Sequence, residues 1–345
     1  MQGMNVMQGR MPRKVWIDYL KVLGMVLIVW GHCAPAHLSA FAYAFDVQLF
    51  FWVSGYLTKN KFVPWEQFVK KIWQTLFVPM LLICLIALCL SAMMGRCSWT
   101  DLPESLLLVL SGFNSFDDVA GCGAMWFVYS LMVIRTIHNL TVLHRKWQPW
   151  LCLLFLSLAI LWRLYGVETA SAWIDVLLAY PFFCLGNMCA NGMFEKIQNR
   201  IASFTPPIIR KSKIIMVVML AIAVYIVAMF NGIVYMYRGE FGGSILLFLM
   251  GSLLGILMMV TISEMLERKW KDTIAVLSSG TILMLGFQSH FFRIMTAVLV
   301  KVGIQRDFWT FDILTLIGSF AIVLAFYPII KITKRHAPIL MGMRK

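Results

Sequence analysis

Charge is scarce in this sequence of 345 residues, and negative charge most of all: 16 Asp and Glu stand against 30 Lys and Arg, and charged residues make up only 13% of the chain. A soluble domain carries roughly twice that share. With 61% of residues hydrophobic, a water-soluble globule and a disordered chain are both excluded. The modest 23 glycines and 11 prolines exclude collagen. Eight cysteines are present, but no C-x-x-C occurs, which argues against a zinc or iron–sulfur centre. Most lie inside apolar runs, where Cys behaves as a small hydrophobe. Cys97 and Cys122 share one predicted external loop, and a disulfide there stays open. No internal repeat is visible, which weakens a transporter built from two related halves. No apolar/polar alternation of barrel type occurs either.

What is there is long apolar runs, at about 15–34, 41–58, 72–92, 124–143, 149–166, 172–190, 213–232, 243–262, 273–297 and 310–331. Each approaches the ~20 residues that cross a bilayer as a helix. A segment in lipid must satisfy its own backbone groups, so the expectation is an all-α integral membrane protein of about ten transmembrane helices. The net charge of +14 resembles a nucleic-acid footprint. In a membrane protein it fits basic cytoplasmic loops instead. With the N-terminus inside, 23 Lys and Arg fall on one side, Arg135 among them, and five on the other; Lys21 and Arg293 remain within spans. Both termini are therefore expected in the cytoplasm. The basic N-terminus and first run read as a retained span, because the run is too long for a signal peptide. The domain division is a tail over 1–14, one membrane domain over 15–331 and a basic tail over 332–345. The longest cytoplasmic loop is 191–213, and 104–111 reads as a short interfacial or re-entrant helix.

Ionisable residues inside spans are costly and mark candidate sites. The first span holds Asp18, Lys21 and His32. Lys14 and Asp18 are spaced i,i+4 and Asp18 and Lys21 i,i+3, so both pairs can form on one face. Lys21 and His32 are 11 residues apart, three turns or about 16 Å along the same face. The plainer readings are a snorkelling lysine and a hydrogen-bonded structural histidine. Asp46 has two readings, an orienting group for His32 or a residue at headgroup level, the second being the plainer. Lys59, Lys61, Lys70 and Lys71 gather near the cytoplasmic ends of the first three spans, as phosphate binding or the positive-inside rule would each require. Ser54-Gly55 and Gly251-x-x-x-Gly255 are expected to pack helices. His290 and Arg293 are i,i+3, with Asp312 a partner for Arg293. Trp126, with Trp162, Trp173 and Trp309, is expected at the membrane interface.

Lys21, ten residues, then His32 resembles the Arg/Lys-x10-His motif of membrane-bound acyltransferase family 3, the O-acetylases of bacterial cell-surface polysaccharides. Ile17-Asp18-Tyr19-Leu20-Lys21 is similar to the string that precedes that motif's charge. Leu49–Leu57 resembles the family's Phe-Phe-x-x-Ser-Gly string, Met125–Val128 its Trp-Phe motif, and Thr281–His290 its late helix ending in His. The sequence departs where Lys21 replaces the usual Arg, where Gln48 stands at a common proline, and where Lys70-Lys71 replaces an arginine pair. Lys keeps the charge but loses the planar fork.

The resemblance implies acyl transfer from cytosolic acyl-CoA, most readily acetyl-CoA, to a hydroxyl of a cell-surface glycan or glycolipid, in the cytoplasmic membrane of a bacterium. Acyl-CoA is then a co-substrate; no bound cofactor, metal or nucleic acid is implied. The implied base is His32, since an imidazole titrates near neutral pH. Lys21, Asp18, Lys70, Lys71 and Ser54 become acyl-CoA-binding or pore-lining candidates, with Asp46, Trp126, His290 and Arg293 secondary. Direct transfer and an acyl-histidine intermediate both suit these residues. The rival readings are a flippase or transporter for a polysaccharide or its lipid-linked precursor, and an accessory membrane subunit.

Overall fold

The computed structural model describes residues 14–112, 122–165, 172–190 and 212–343. Among the described residues there is no strand, and the chain is a bundle of α-helices. The helices are α1 (Val15–His32), α2 (Ser39–Tyr43), α3 (Asp46–Tyr56), α4 (Trp65–Ile72), α5 (Val78–Met93), α6 (Leu102–Ser111) and α7 (Trp126–Thr141). They continue as α8 (Gln148–Leu164), α9 (Ala172–Met188), α10 (Lys213–Asn231), α11 (Ile245–Leu266), α12 (Lys271–Ser279), α13 (Thr281–Lys301) and α14 (Trp309–His336).

Among the described residues, seven helical stretches are long and apolar enough to cross a membrane. One of them, Gly123–Leu164, has 42 residues. It is broken at His144, whose φ of −116° and ψ of 49° are not helical. At 1.5 Å per residue it is twice the length of one crossing. Trp173–Met188 is a shorter apolar helix. The run expected as one span over 41–58 is two helices, because Phe45 (φ −151°, ψ −2°) breaks it. The 11 residues of α3 reach only ~16 Å, about half a bilayer core. The run expected over 273–297 is likewise divided, into α12 and α13, at Gly280. The third run starts earlier than expected, at Trp65, and passes through a π-helical turn at Trp73–Phe77. The loop expected over 191–213 lies mostly outside the described residues.

Helix α1 is the central pillar, packed against α3, α11, α12, α13 and α14. Thirteen of its 18 residues are buried, Asp18 among them. Protein surrounds it where lipid would otherwise lie, so its polar groups can face interior space. The most extensive pairing is α3 on α9. A Cβ on Gly55 would strike the Phe183 carbonyl, and one on Gly186 the Trp52 carbonyl. The two backbones touch because neither helix has a side chain there. Asn187 finishes the junction, its amide donating to the carbonyls of Gly55 (3.3 Å) and Thr58 (2.7 Å) at the end of α3. The expected packing role of Gly55 holds, as does that of Gly255, which lies against the Phe45 ring.

Candidate active site

Three cavities adjoin through shared lining residues, the second and third of them beside α1. The first, of about 260 Å³, opens among Lys59, Lys61, Lys71, His138 and Asn139. The second, of about 220 Å³, is lined by Lys21, Ser54 and Arg135 within a largely apolar wall of residues such as Met25, Phe50 and Leu131. Leu57 and Arg135 line both. The third, of about 140 Å³, holds His32, Tyr43, Asp46, Gln48 and Trp126. Ile28, Phe127 and Leu285 line both the second and the third. The chain thus arranges, in order, a lysine-rich mouth, a middle chamber with two cations and a far chamber with an imidazole.

Helical spacing explains the order. Lys21 and His32 share a face of α1, and Ile28 lies between them on that face, so the stripe that carries charge also carries the partition. His32 is fixed at Nδ1, which lies 2.7 Å from the Ile28 carbonyl oxygen. A carbonyl only accepts, so Nδ1 carries the proton and Nε2 is the basic nitrogen of the neutral ring. The ring sits between Phe292 (5.6 Å between centroids) and Tyr43 (6.4 Å).

Asp46 is 1% exposed and opens α3 inside the far chamber. The Phe45 break places it there by starting a new helix below the end of the run. Its Oδ1 accepts from the Val47 amide at 2.7 Å, while Oδ2 has no partner among the described residues. That oxygen lies 3.6 Å from where a Gly31 side chain would begin, so it approaches α1 next to His32. Gln48 is fully buried, and neither side-chain amide atom has a partner among the described residues. Leaving such a group unpaired costs about 1–3 kcal/mol.

The other expected residues divide. Ser54 and Lys71 line cavities; Lys70 is exposed and outside the three linings. Trp126 is 8% exposed and walls the far chamber, so it is not an interfacial anchor. Asp18 is outside the linings too: it accepts a 2.6 Å hydrogen bond from the Ser278 hydroxyl and ties α1 to α12. Lys14, expected beside Asp18, donates instead to the Tyr56 hydroxyl at 2.6 Å. His290 is half-buried, with Nδ1 3.4 Å from the Ser289 hydroxyl. Arg293 is exposed and does not use Asp312. Both Asp312 oxygens are occupied by the amides of Ala36 (2.8 Å) and His37 (2.9 Å), which pins the turn after α1 to the first turn of α14. The structure holds Cys97 and Cys122 as thiols, against the carbonyls of Leu88 and Cys84 respectively.

Arg135, Tyr43 and Gln48 were not among the expected site residues. Arg135 carried a signal, since it lies well inside the apolar run 124–143, yet the charge count placed it in a loop. Among the described residues no group of three His, Cys, Asp or Glu is placed to hold a metal ion.

The acyltransferase-domain family matches the chain over residues 14–328, which takes in all three cavities. The chain belongs to acyltransferase family 3. No curated protein and no solved structure matches it. In this acyltransferase the Lys21-x10-His32 stripe joins the middle chamber to the far one, and the Phe-Phe-x-x-Ser-Gly string contributes Phe50 and Ser54 to the middle one.

Proposed function

We propose that this acyltransferase moves a short acyl group, acetyl above all, from cytosolic acyl-CoA to a hydroxyl of a cell-surface glycan or glycolipid, in the cytoplasmic membrane of a bacterium. The observation that carries the reading is the series of three cavities with cations at the near end and His32 at the far end. Coenzyme A is polyanionic, and Lys59, Lys61 and Lys71 suit its phosphates. Arg135 and Lys21 offer further positive charge where the pantetheine arm would lie. The apolar middle chamber suits a thioester shed of water. The basic mouth then faces the cytoplasm, as the distribution of Lys and Arg along the chain requires.

In the far chamber His32 Nε2 takes the proton of the acceptor hydroxyl while that oxygen bonds to the thioester carbonyl carbon. The tetrahedral intermediate collapses by breaking the C–S bond. His32 returns the proton to the leaving sulfur, so CoA thiol and the ester are the products. Asp46, beside α1 at this level, is the candidate for holding the imidazolium that forms between the two steps.

The test is His32→Ala in the full-length chain in its membrane. Loss of one general base costs about 10²–10⁴-fold in rate. Surface glycans from cells carrying the variant are expected to lose the acetyl mass increment while the protein stays at wild-type abundance in the membrane fraction. Acetylation retained by the variant refutes the mechanism.

A further inference from the structure

We propose that the far chamber is the acceptor subsite and that the Gln48 carboxamide in its lining, with Gln288 on the adjoining face of α13, selects an uncharged, polyhydroxylated ring over an anionic one. The inference rests on the acyltransferase reading above and adds the acceptor's chemical class. Gln48 lines the chamber, is 0% exposed, and has both Nε2 and Oε1 without a partner among the described residues. A carboxamide with donor and acceptor both open matches a ligand hydroxyl, which gives one hydrogen and takes another. A second such group stands nearby. Gln288 is 1% exposed with both amide atoms likewise unpartnered. It lies three residues after Leu285, which lines the chamber, and four before Phe292, which packs on His32. The spacings i, i+3 and i+7 put all three on one face of α13.

Charge decides the class. No Lys or Arg lines the far chamber among the described residues, and the one carboxylate there is Asp46. The exposed Arg238 lies against the Tyr237 ring, 5.1 Å from its centroid, and is not part of the lining. A uronate or phosphate brought into this chamber finds no lysine or arginine to pair with, so the loss of its hydration goes uncompensated. A neutral sugar meets only matching dipoles.

The experiment uses the full chain in nanodiscs with radiolabelled acetyl-CoA. Octyl glucoside, galactoside and mannoside, each below its micellar concentration, are set against octyl glucuronide and galacturonide. At least one neutral glycoside is expected to be acetylated at least about tenfold faster than either uronide. Gln48→Leu and Gln288→Leu are expected to raise the KM for that glycoside by about tenfold or more, with the KM for acetyl-CoA within twofold of wild type. Gln48→Glu, which keeps the side chain's shape, is expected to abolish the transfer to the neutral acceptor and guards against a misfolded leucine variant.

Faster acetylation of a uronide overturns the proposal. So does CoA release with transfer only to water, or a fall in kcat alone in the glutamine variants. Absence of CoA release with every acceptor overturns instead the acyl-CoA reading, and this proposal with it.

Discussion

A guanidinium inside an apolar helix has to be explained by what it faces. Arg135 lies two cavities deep, lining both the mouth and the middle chamber, and its Nε has no partner among the described residues. An anion passing that point would gain charge-assisted hydrogen bonds worth about 1.5–3 kcal/mol. Arg135→Leu is therefore expected to raise the KM for acetyl-CoA by about 10- to 100-fold, read from initial rates in reconstituted membranes. Arg135→Lys should recover part of the loss, because the charge stays and the fork does not. The leucine variant should melt no lower than wild type, since it removes a buried cation rather than a paired one. Lys21 and His32 were legible from spacing alone, because 11 residues return a helix to the same face whatever surrounds it. Arg135 was not, because counting Lys and Arg for orientation treats an arginine near the end of a run as a loop residue. That Asp46 and Trp126 line one chamber was not legible for a related reason: their surroundings depend on where helices break.

Among the elements, the pairing of α3 with α9 decides where the middle chamber ends. Ser54 faces that chamber while Gly55, the next residue, touches the Phe183 carbonyl. A side chain at 55 meets backbone, which cannot rotate away. Gly55→Val is expected to cost about 3 kcal/mol, the upper end for overpacking, and to lower the detergent melting midpoint, with Gly186→Val behaving alike. Ser54→Ala at the neighbouring position should leave that midpoint near wild type. Long helices such as α10 and α11 were readable because nothing but a span accounts for so many apolar residues in a row. The breaks at Phe45 and Gly280 were not, since each falls inside an unbroken apolar run. Only the neighbouring helices distinguish a bent backbone from a straight one there. Among the described residues seven stretches of spanning length stand against ten apolar runs, because Phe45 divides one run, two others join in Gly123–Leu164, and Trp173–Met188 is shorter.

At the scale of the whole molecule, the order of the chambers matters more than any one lining. A lysine-rich cavity, a largely apolar chamber and the His32 ring follow one another through shared lining residues, and Ile28, Phe127 and Leu285 mark the step between the last two. Ile28→Trp enlarges that partition. It is expected to cut transfer by at least about tenfold, measured with radiolabelled acetyl-CoA, while CoA still competes for the mouth at near wild-type concentration. If instead CoA binding weakens and transfer per bound donor is unchanged, the cavities are not traversed in this order. The family and the central stripe were both readable before the fold was known. An enclosed passage beside the stripe was expected too; which residues enclose His32 was not legible, because Trp126, Phe127, Tyr237 and Leu285 come from far along the chain.

The same three hydrocarbon side chains have an electrical consequence. A passage lined with lysine at one end and a titratable ring at the other would, if continuously wet, short-circuit the proton gradient across the membrane that holds it. Ile28, Phe127 and Leu285 line both chambers, so any file of water from Lys21 toward the His32 ring has to pass three hydrocarbon side chains, which hold water poorly.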